Sequence, residues 1–326
     1  MRATNWIGDA VMSLPAIRAL REIFPHAHLA VVAKPWVADL YARETAIDQV
    51  IEYSGTRRDI AARLRAEHFD GAILLQNAFD AALTVWLARI PVRIGYNRDG
   101  RGLLLTHAIP VPEPGEIPRH ERFYYLELLR RAGLMERFPS SDSIRLDGID
   151  EARTEGLAHL ARLGIRGPVI GISPGAAYGG AKRWPAENFV ASAAALGPYP
   201  LLLFGSAAER DLCDRIAAQL PNAHNLAGQT ALREFIALAS ACRLFLTNDS
   251  GAMHIASALG VPTVAVFGAT DDTTTGPTGP LARVVREHAE CAPCLLRECP
   301  IDHRCMRGLA PARVAASVAA LMERRS

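Results

Sequence analysis

The sequence predicts an α/β protein made of two doubly wound parallel sheets. In both halves of the chain, short apolar runs typical of buried strands alternate with helical patterns, as in parallel strands joined by crossover helices. A length of 326 residues is enough for two hydrophobic cores. We therefore expect two Rossmann-like domains, residues 1–155 and residues 156–326, joined through residues 146–167.

The first half is predicted to begin with a helix that follows Gly8-Asp9. This helix should run to about Phe24, and Pro15 is either tolerated early in it or kinks it. Strands are predicted at residues 29–33, 50–53 and 71–75, with a helix at residues 60–66. This order places Asp9 at a strand-to-helix turn.

The second half repeats the scheme more clearly. Strands are predicted at residues 169–173, 201–204, 244–247 and 263–267, and helices at residues 150–163, 187–196, 209–220 and 232–241. The last predicted helix, residues 311–325, is expected to pack back on the first domain.

Composition and charge exclude several classes of protein. Half of the residues are apolar and the net charge is only +2, so a disordered chain is excluded and neither half has the charge of a nucleic-acid-binding domain. No apolar run approaches the ~20 residues of a membrane-spanning helix, and Asn5, Gly8 and Asp9 lie where a signal peptide would need its apolar core. We expect a cytoplasmic protein that meets a membrane surface only through its substrate.

The most informative stretch is Thr-Asn-Asp-Ser-Gly-Ala-Met-His at residues 247–254, where a predicted strand passes into a helix. The unpaired N–H groups and positive dipole of such a helix start suit a phosphate, Gly251 allows close approach, and Asp249 can accept hydrogen bonds from sugar hydroxyls. Alternatively, Asp249 or Ser250 merely caps the helix. His254, one turn later, either reaches the phosphate or packs in the core.

Two further polar segments lie at predicted strand ends: Asn-Trp-Ile-Gly-Asp-Ala-Val-Met-Ser at residues 5–13, and Ser-Pro-Gly-Ala-Ala-Tyr-Gly-Gly-Ala-Lys-Arg-Trp-Pro at residues 173–185. Together with the 247–254 stretch, and in this order, they resemble the ADP-heptose:lipopolysaccharide heptosyltransferases. The resemblance spans nearly the whole chain. It implies a GT-B glycosyltransferase, in which two Rossmann-like domains face a central cleft, with the acceptor on the first and ADP-heptose on the second.

The resemblance also implies the reaction. It is an inverting transfer of L-glycero-D-manno-heptose that needs neither metal nor cofactor, and its acceptor is a Kdo-containing lipid A on the inner face of the cytoplasmic membrane. Family members usually carry a full apolar strand before Asn-Trp-Ile-Gly-Asp, whereas only residues 1–4 precede it here. A truncated first strand or a late start codon is therefore expected.

Glycosyl transfer requires a base for the acceptor hydroxyl and positive groups for the departing diphosphate. Asp9 matches the family's Gly-Asp aspartate and is the candidate base; the alternative is an N-cap of the first helix. Lys182 is the candidate for leaving-group stabilisation and Arg183 a weaker one, whereas a Lys-Arg pair alone would suggest a solvated loop. Gly175, with the glycines that follow it, would let the backbone lie close to phosphate.

The nucleoside is expected in the second domain, beyond the carboxyl ends of its strands. Glu209 aligns with a family carboxylate that holds the ribose hydroxyls, or is simply a first-turn acid favoured by the helix dipole. Thr230 lies in a loop that resembles the one near the adenine.

Arginines crowd one segment of the first half. Arg98 and Arg101, with Arg93, fit an acceptor rich in carboxylates and phosphates, because guanidinium groups bind both in a fork geometry. An ordinary charged surface loop remains the alternative. Lys34 and Arg119 are possible additions.

Four cysteines, Cys291, Cys294, Cys299 and Cys305, fall within fifteen residues. A structural metal, free thiols and disulfides all remain open for them, and a catalytic role is not expected because some family members lack the group. Cys213 and Cys242 lie in apolar helical stretches and should be buried, inert thiols.

Two other kinds of function remain as alternatives. One is a different GT-B enzyme, such as a heptosyltransferase acting at another position or a nucleotide-sugar epimerase, and the other is a nucleotide-binding scaffold without catalysis. The chain lacks Gly-x-Gly-x-x-Gly after a first strand, which speaks against a dinucleotide oxidoreductase.

Overall fold

The computed structural model describes residues 1–141 and 143–323. The chain divides into two compact units, residues 1–141 and residues 142–326. The boundary expected between residues 155 and 156 falls inside the helix Ile149–Arg162, which packs on the helix Leu232–Ala241. Gly156 allows this close approach, because a Cβ there would lie 2.0 Å from the carbonyl oxygen of Ala237. The helix is therefore part of the second unit.

The first unit alternates helices and strands. Its helices are α1 (Ile7–Ile23), α2 (Pro35–Tyr41), α3 (Arg57–Ala66), α4 (Phe79–Leu87) and α5 (Arg122–Arg131), and its strands are β1 (Ala30–Ala33), β2 (Gln49–Glu52), β3 (Gly71–Leu74), β4 (Val92–Tyr96) and β5 (His107–Ile109). Pro15 lies inside α1. The predicted strands and helices of this half are confirmed to within a few residues.

The sheet of the first unit is in two parallel pieces. Strand β1 pairs with β2, and β3, β4 and β5 form the other piece. Arg2 makes an isolated parallel bridge to Val32 of β1 and another to Leu74 of β3. The first residues of the chain therefore link the pieces through bridges, not through a strand of their own.

A cavity of about 610 Å³ lies in the first unit. Its lining includes Ala30, Gly71 and Val92, which begin β1, β3 and β4. Asp9 follows the residues that bridge to the later parts of these strands. The cavity is therefore at the amino ends of the strands, away from the edge where Asp9 was predicted to act.

The second unit contains more elements. Its helices are α6 (Ile149–Arg162), α7 (Ala186–Ala194), α8 (Arg210–Ala217), α9 (Leu232–Ala241), α10 (Gly251–Ala258), α11 (Asp272–Thr275), α12 (Arg304–Arg307) and α13 (Pro311–Glu323), and its strands are β6 (Ile170–Ser173), β7 (Leu201–Leu203), β8 (Ala223–Asn225), β9 (Leu244–Asn248), β10 (Thr263–Phe267) and β11 (Ala282–Arg286). Every predicted strand of this half is present.

These six strands form one parallel sheet in the order β11-β10-β9-β6-β7-β8. The chain winds outward from β6 in one direction, then returns to place β9 on the other side of β6. This is the strand order of Rossmann sheets, whose topological switch point lies where the direction of winding reverses. Here the switch point falls between β6 and β9, both fully buried.

The last predicted helix is α13 and lies in the second unit. Val314, Val318 and Leu321 of α13 are buried in the core of the second unit, and the helix packs on α7 and on strands β9, β10 and β11. Its apolar face is thus covered by its own unit. Residues 324 and 325 of the predicted helix lie outside the described residues. Within residues 1–141 and 143–323, no helix is both long and apolar enough to cross a bilayer.

Candidate functional site

The switch point of the second unit collects the most distinctive residues of the sequence. Ser173 of β6 lies beside Thr247 of β9 in the sheet register. The residues that follow these two positions therefore emerge side by side at the carboxyl edge, where open α/β sheets bind their ligands.

Asn248 holds the two chain segments together. Its side-chain amide donates to the carbonyl oxygen of Pro174 at 2.7 Å, and its Oδ1 accepts from the backbone N–H of Trp184 at 3.1 Å. Asn248 is fully buried, so loss of these hydrogen bonds would leave buried polar groups unpaired. Asn248 belongs to the 247–254 stretch, but its sequence context predicted no role for it.

Lys182 and Asp249 form an ion pair at this edge. The Nζ of Lys182 lies 2.6 Å from Oδ2 of Asp249, and the two side chains are 13% and 4% exposed. Thr270, which follows β10, donates its hydroxyl to the same oxygen at 2.5 Å. The structure thus joins two residues that the sequence had assigned to different parts of a donor, and it adds Thr270, for which the sequence carried no signal.

The start of α10 agrees with the predicted strand-to-helix turn. Ser250 is the N-cap residue, but its side chain makes no capping hydrogen bond; its hydroxyl pairs instead with that of Thr247 at 3.1 Å. Gly251 is the first helical residue, and His254 is buried in the next turn at 6% exposure. The carboxylate of Asp249 is held by Lys182 and Thr270, so the capping alternative does not describe its contacts.

Glu209 and Gly175 are in contact. A Cβ on Gly175 would lie 2.0 Å from Oε1 of Glu209, so only glycine allows this carboxylate to approach. The other oxygen, Oε2, accepts from the backbone N–H of Ser206 at 2.8 Å, in a capping arrangement. Glu209 therefore caps a turn and also borders the switch point. Its close approach to residue 175 accounts for a glycine at that position, whether or not a ligand binds there.

Thr230 lies in the loop between β8 and α9, next to the loop of Glu209. Gly228 donates its N–H to the carbonyl oxygen of Gly205 at 2.9 Å, which joins the two loops. Gly228 has a φ of +71° and would place a Cβ 3.1 Å from that of Ala207. The predicted ribose and adenine loops are thus neighbours.

The two glycines before Lys182 have a structural role that the sequence did not predict. A Cβ on Gly179 would lie 2.2 Å from the carbonyl oxygen of Arg297, and one on Gly180 would lie 2.3 Å from the carboxylate of Glu298. The absence of a side chain at both glycines therefore allows close packing of residues 291–305, which we call the cysteine segment. Arg183 is exposed and donates to the carbonyl oxygen of Ala176 at 3.2 Å.

The four thiols of the cysteine segment are free, and three of them are close enough to Cys305 to affect its charge. Burial raises the pKa of the Cys305 thiol, and the nearby Cys291, Cys294 and Cys299 raise it further. Across residues 1–141 and 143–323, no group of three or more His, Cys, Asp or Glu side chains is arranged to hold a metal ion. Cys213 and Cys242 are buried, as predicted, and burial raises the pKa of Cys213 to about 12.

In the first unit, Asp9 lies in the first turn of α1 and is half-buried. Trp6 is the N-cap residue of this helix, so the alternative that Asp9 is the N-cap is wrong. Glu121, which precedes α5, has its pKa raised to about 7 by burial and then by the carboxylate of Asp9, while Arg98 opposes the shift. Asp9 and Arg98 therefore both interact electrostatically with Glu121. The sequence did not predict a role for Glu121.

The predicted arginine cluster separates into two kinds. Arg98 is exposed, and its pKa is raised by a hydrogen bond with Tyr124. Arg101 is fully buried and donates to the carbonyl oxygen of Tyr96 at 2.8 Å and to Oδ1 of Asn77 at 2.7 Å. Arg93 similarly donates to the carbonyl oxygen of Leu104 at 2.7 Å. The assignment of Arg101 to substrate is corrected, because its donors hold the backbone of the first unit together.

Comparison with known proteins places the chain in a family. Residues 57–304 match the model of glycosyltransferase family 9 (heptosyltransferase). The chain is 32% identical over 300 residues to lipopolysaccharide heptosyltransferase 2 of Escherichia coli strain K12, and equally to that of Salmonella typhimurium strain LT2, with 86% of each chain covered.

Solved structures agree with this match. The structure of the E. coli ADP-heptose lps heptosyltransferase II superposes with a TM-score of 0.83 at 29% identity, over 99% of this chain and 98% of that one. A family 9 glycosyltransferase from Veillonella parvula shares the fold, with a TM-score of 0.83 at 21% identity. The two Rossmann-like units are those of the GT-B fold, and the chain belongs to glycosyltransferase family 9, the heptosyltransferases.

Proposed function

We propose that this enzyme transfers L-glycero-D-manno-heptose from ADP-heptose to the heptosyl-Kdo2-lipid A inner core of lipopolysaccharide, with inversion at the anomeric carbon. It acts as heptosyltransferase II, from the cytoplasm and at the inner face of the cytoplasmic membrane. The names of the relatives at 32% identity support transfer of a heptose to lipopolysaccharide and the position of that heptose. The name of the E. coli structure at 29% identity supports ADP-heptose as the donor.

The donor is assigned to the second unit. Lys182 stabilises the charge that builds on the diphosphate as the sugar leaves, and the Ser250-Gly251 helix start and Arg183 contribute to the same site. Asp249 orients the heptose and also holds Lys182 in place through their ion pair. Glu209 binds the ribose hydroxyls, Thr230 lies by the adenine, and His254 and Gly175 line the site.

The acceptor is assigned to the first unit. Asp9 takes the proton from the acceptor hydroxyl, since a carboxylate in this position can act as a general base. Arg98 binds acidic groups of the acceptor, and its exposed guanidinium has the fork geometry that carboxylates and phosphates prefer. Arg101 takes no part in binding, because it is buried.

The single observation that carries the proposal is the Lys182–Asp249 ion pair at the switch point, with an N···O distance of 2.6 Å. A cation and a carboxylate at the carboxyl edge of a Rossmann sheet provide one group for a diphosphate and one for sugar hydroxyls.

The test is an assay of the purified protein with ADP-heptose and either of two acceptors, heptosyl-Kdo2-lipid A or Kdo2-lipid A. We expect ADP release and the mass gain of one heptose on the heptosylated acceptor only. Preferred use of the bare acceptor would indicate transfer of the first heptose. Conversion of the donor without acceptor would indicate an epimerase, and binding without turnover would indicate a scaffold.

A further inference from the structure

The cysteine segment is hydrogen-bonded to the loop that carries Lys182. The hydroxyl of Tyr178 donates to the carbonyl oxygen of Leu295 at 3.0 Å, and the N–H of Gly180 donates to Oε1 of Glu298 at 2.8 Å. His303 adds a hydrogen bond between its Nε2 and the carbonyl oxygen of Ala181 at 2.9 Å. These contacts hold residues far apart in sequence in one fixed arrangement beside the ion pair.

The same segment also touches the loop that follows β10. Leu295 donates its N–H to the carbonyl oxygen of Ala269 at 2.8 Å, and Ala269 precedes Thr270, whose hydroxyl binds Asp249. The segment therefore contacts both loops that position the ion pair, which gives its side chains access to the same site.

Arg297 is the residue of the segment that approaches Lys182. Its carbonyl oxygen accepts from the N–H of Ala181 at 2.9 Å. Its guanidinium carbon lies 5.2 Å from the centroid of the Tyr178 ring, and the Nζ of Lys182 lies 4.8 Å from the centroid of the same ring. One aromatic ring thus supports two cations.

Beside Lys182 and Arg183, a further cation would stabilise the charge of a departing diphosphate. Lys182 is paired with Asp249 at 2.6 Å, so this pair brings no net positive charge to a departing diphosphate, which carries several negative charges. Across the described parts of the chain, the exposed Arg297 has no carboxylate within ion-pair distance. A planar guanidinium also offers a fork of donors that matches phosphate oxygens.

We propose that Arg297 is a further substrate-binding residue, whose guanidinium binds the diphosphate of the nucleotide-sugar donor alongside Lys182. The proposal rests on the proposed function, because it takes ADP-heptose as the donor. Tyr178 is the platform that holds both cations, and the cysteine segment delivers Arg297 to it.

The competing interpretation is that Arg297 only packs on Tyr178 and supports the loop. The two interpretations differ in what they predict for ligands that share the nucleoside and differ in phosphate number. A residue that binds the diphosphate should matter more for ADP than for AMP, whereas a residue that shapes the loop should affect both alike.

The experiment is a calorimetric titration of ADP and of AMP into the wild type, Arg297→Ala and Arg297→Lys. We expect Arg297→Ala to weaken ADP binding roughly tenfold, the value of one charge-assisted hydrogen bond, and to change AMP affinity by less than about twofold. Arg297→Lys should recover part of the ADP affinity, because it restores the charge without the fork.

The matched control is Arg304→Ala, which removes an exposed arginine of the same segment that is paired with Asp302 at 3.0 Å. It should bind both nucleotides as the wild type does. Urea unfolding of each variant checks that the fold is retained.

An equal loss of ADP and AMP affinity in Arg297→Ala, an unchanged ADP affinity, or an unfolded Arg297→Ala and Arg297→Lys would each overturn the proposal. Failure of the proposed function has a different signature: the wild type would then transfer no heptose to the heptosylated acceptor, whatever its affinity for ADP. A wild type that bound neither ADP nor ADP-heptose would overturn both inferences together. Binding and transfer by the wild type, with unchanged ADP affinity in Arg297→Ala, would overturn only the role of Arg297.

Discussion

The two units hold their candidate residues in different ways. In the second unit, Lys182, Asp249 and Thr270 are joined by direct contacts of 2.5 to 2.6 Å and are backed by one six-stranded sheet. In the first unit, Asp9 and Glu121 are related through their charges, and the sheet behind them is in two pieces bridged at Arg2.

This difference corresponds to the two demands of glycosyl transfer. Stabilising a leaving group requires charges that are already in place, because reorganising them during the reaction costs free energy. Activating an acceptor depends instead on the protonation state of a base, which its neighbours control through its pKa. Under the proposed roles, the second unit would contribute through geometry and the first through protonation.

The largest effect is expected at Asp9. Asp9→Asn should lower the single-turnover rate by about 10²–10⁴-fold, since it removes the base and keeps the volume. Binding of ADP should be unchanged, because Asp9 is assigned to the acceptor. Asp150→Asn is the matched control: Asp150 is an exposed carboxylate in the first turn of α6, and its loss should leave the rate unaltered. A near-normal rate in Asp9→Asn would show that the base lies elsewhere.

Lys182→Met should have the next largest effect on the rate. Loss of one preorganised donor costs about 10²–10³-fold in kcat, and ADP affinity should fall much less, because the charge on the diphosphate is greatest in the transition state. Arg215→Ala, an exposed cation on α8, is the control and should have normal kinetics. If ADP affinity and rate fell by the same factor, Lys182 would serve ground-state binding only.

Glu121 should make the free energy of unfolding depend on pH. Its pKa is raised from 4.5 to about 7 in the folded state, so the folded state is favoured by the protonated carboxyl below about pH 4.5. This stabilisation is lost as the pH rises from about 4.5 to about 7, and the loss is complete above that. Relative to Glu121→Gln, the wild type should lose at most about 3 kcal/mol of unfolding free energy over this range. Urea unfolding at a series of pH values measures the difference. A constant difference would mean that Glu121 titrates normally.

The smallest effect is expected for Asn248→Ala, which should change stability through packing and hydrogen bonding in the interior. Asn248→Ala should lower the free energy of unfolding by about 2 kcal/mol, since it leaves the Trp184 N–H and the Pro174 carbonyl unpaired in the interior. Asn188→Ala, within α7, should change it by less than about 0.5 kcal/mol. Equal stabilities of the two variants in urea would remove Asn248 as the link between β6 and β9.

The sequence predicted the second unit better than the first. Its predicted strands are largely apolar runs, such as Leu201–Leu203 and Thr263–Phe267, as expected for parallel strands buried on both faces. The edge strands β8 and β11 contain polar residues and were missed. In the first unit, β4 contains Arg93 and the exposed Val92, and β5 is only three residues long. These strands lack a clear pattern and were missed.

Candidate residues were predictable where a motif carried them, and their partners were not. Asp249 and Lys182 could be named from their strings, but their ion pair depends on the strand order that brings β6 beside β9. Arg101 shows the reverse case. The cluster of arginines around it suggested a ligand site, and only the structure reveals that Arg101 is buried and donates to a backbone carbonyl. Tertiary contacts of this kind have no local signal in the chain.

The division of work between the two units is tested most directly by changing the leaving group. Single-turnover rates are measured for the wild type, Asp9→Asn and Lys182→Met, with ADP-heptose and with a donor analogue whose fluorinated diphosphate is a weaker base and departs more easily. The deficit of Lys182→Met should shrink with the analogue, because less charge then needs stabilising, while that of Asp9→Asn should stay as large. A deficit of Lys182→Met that is the same with both donors would contradict the account.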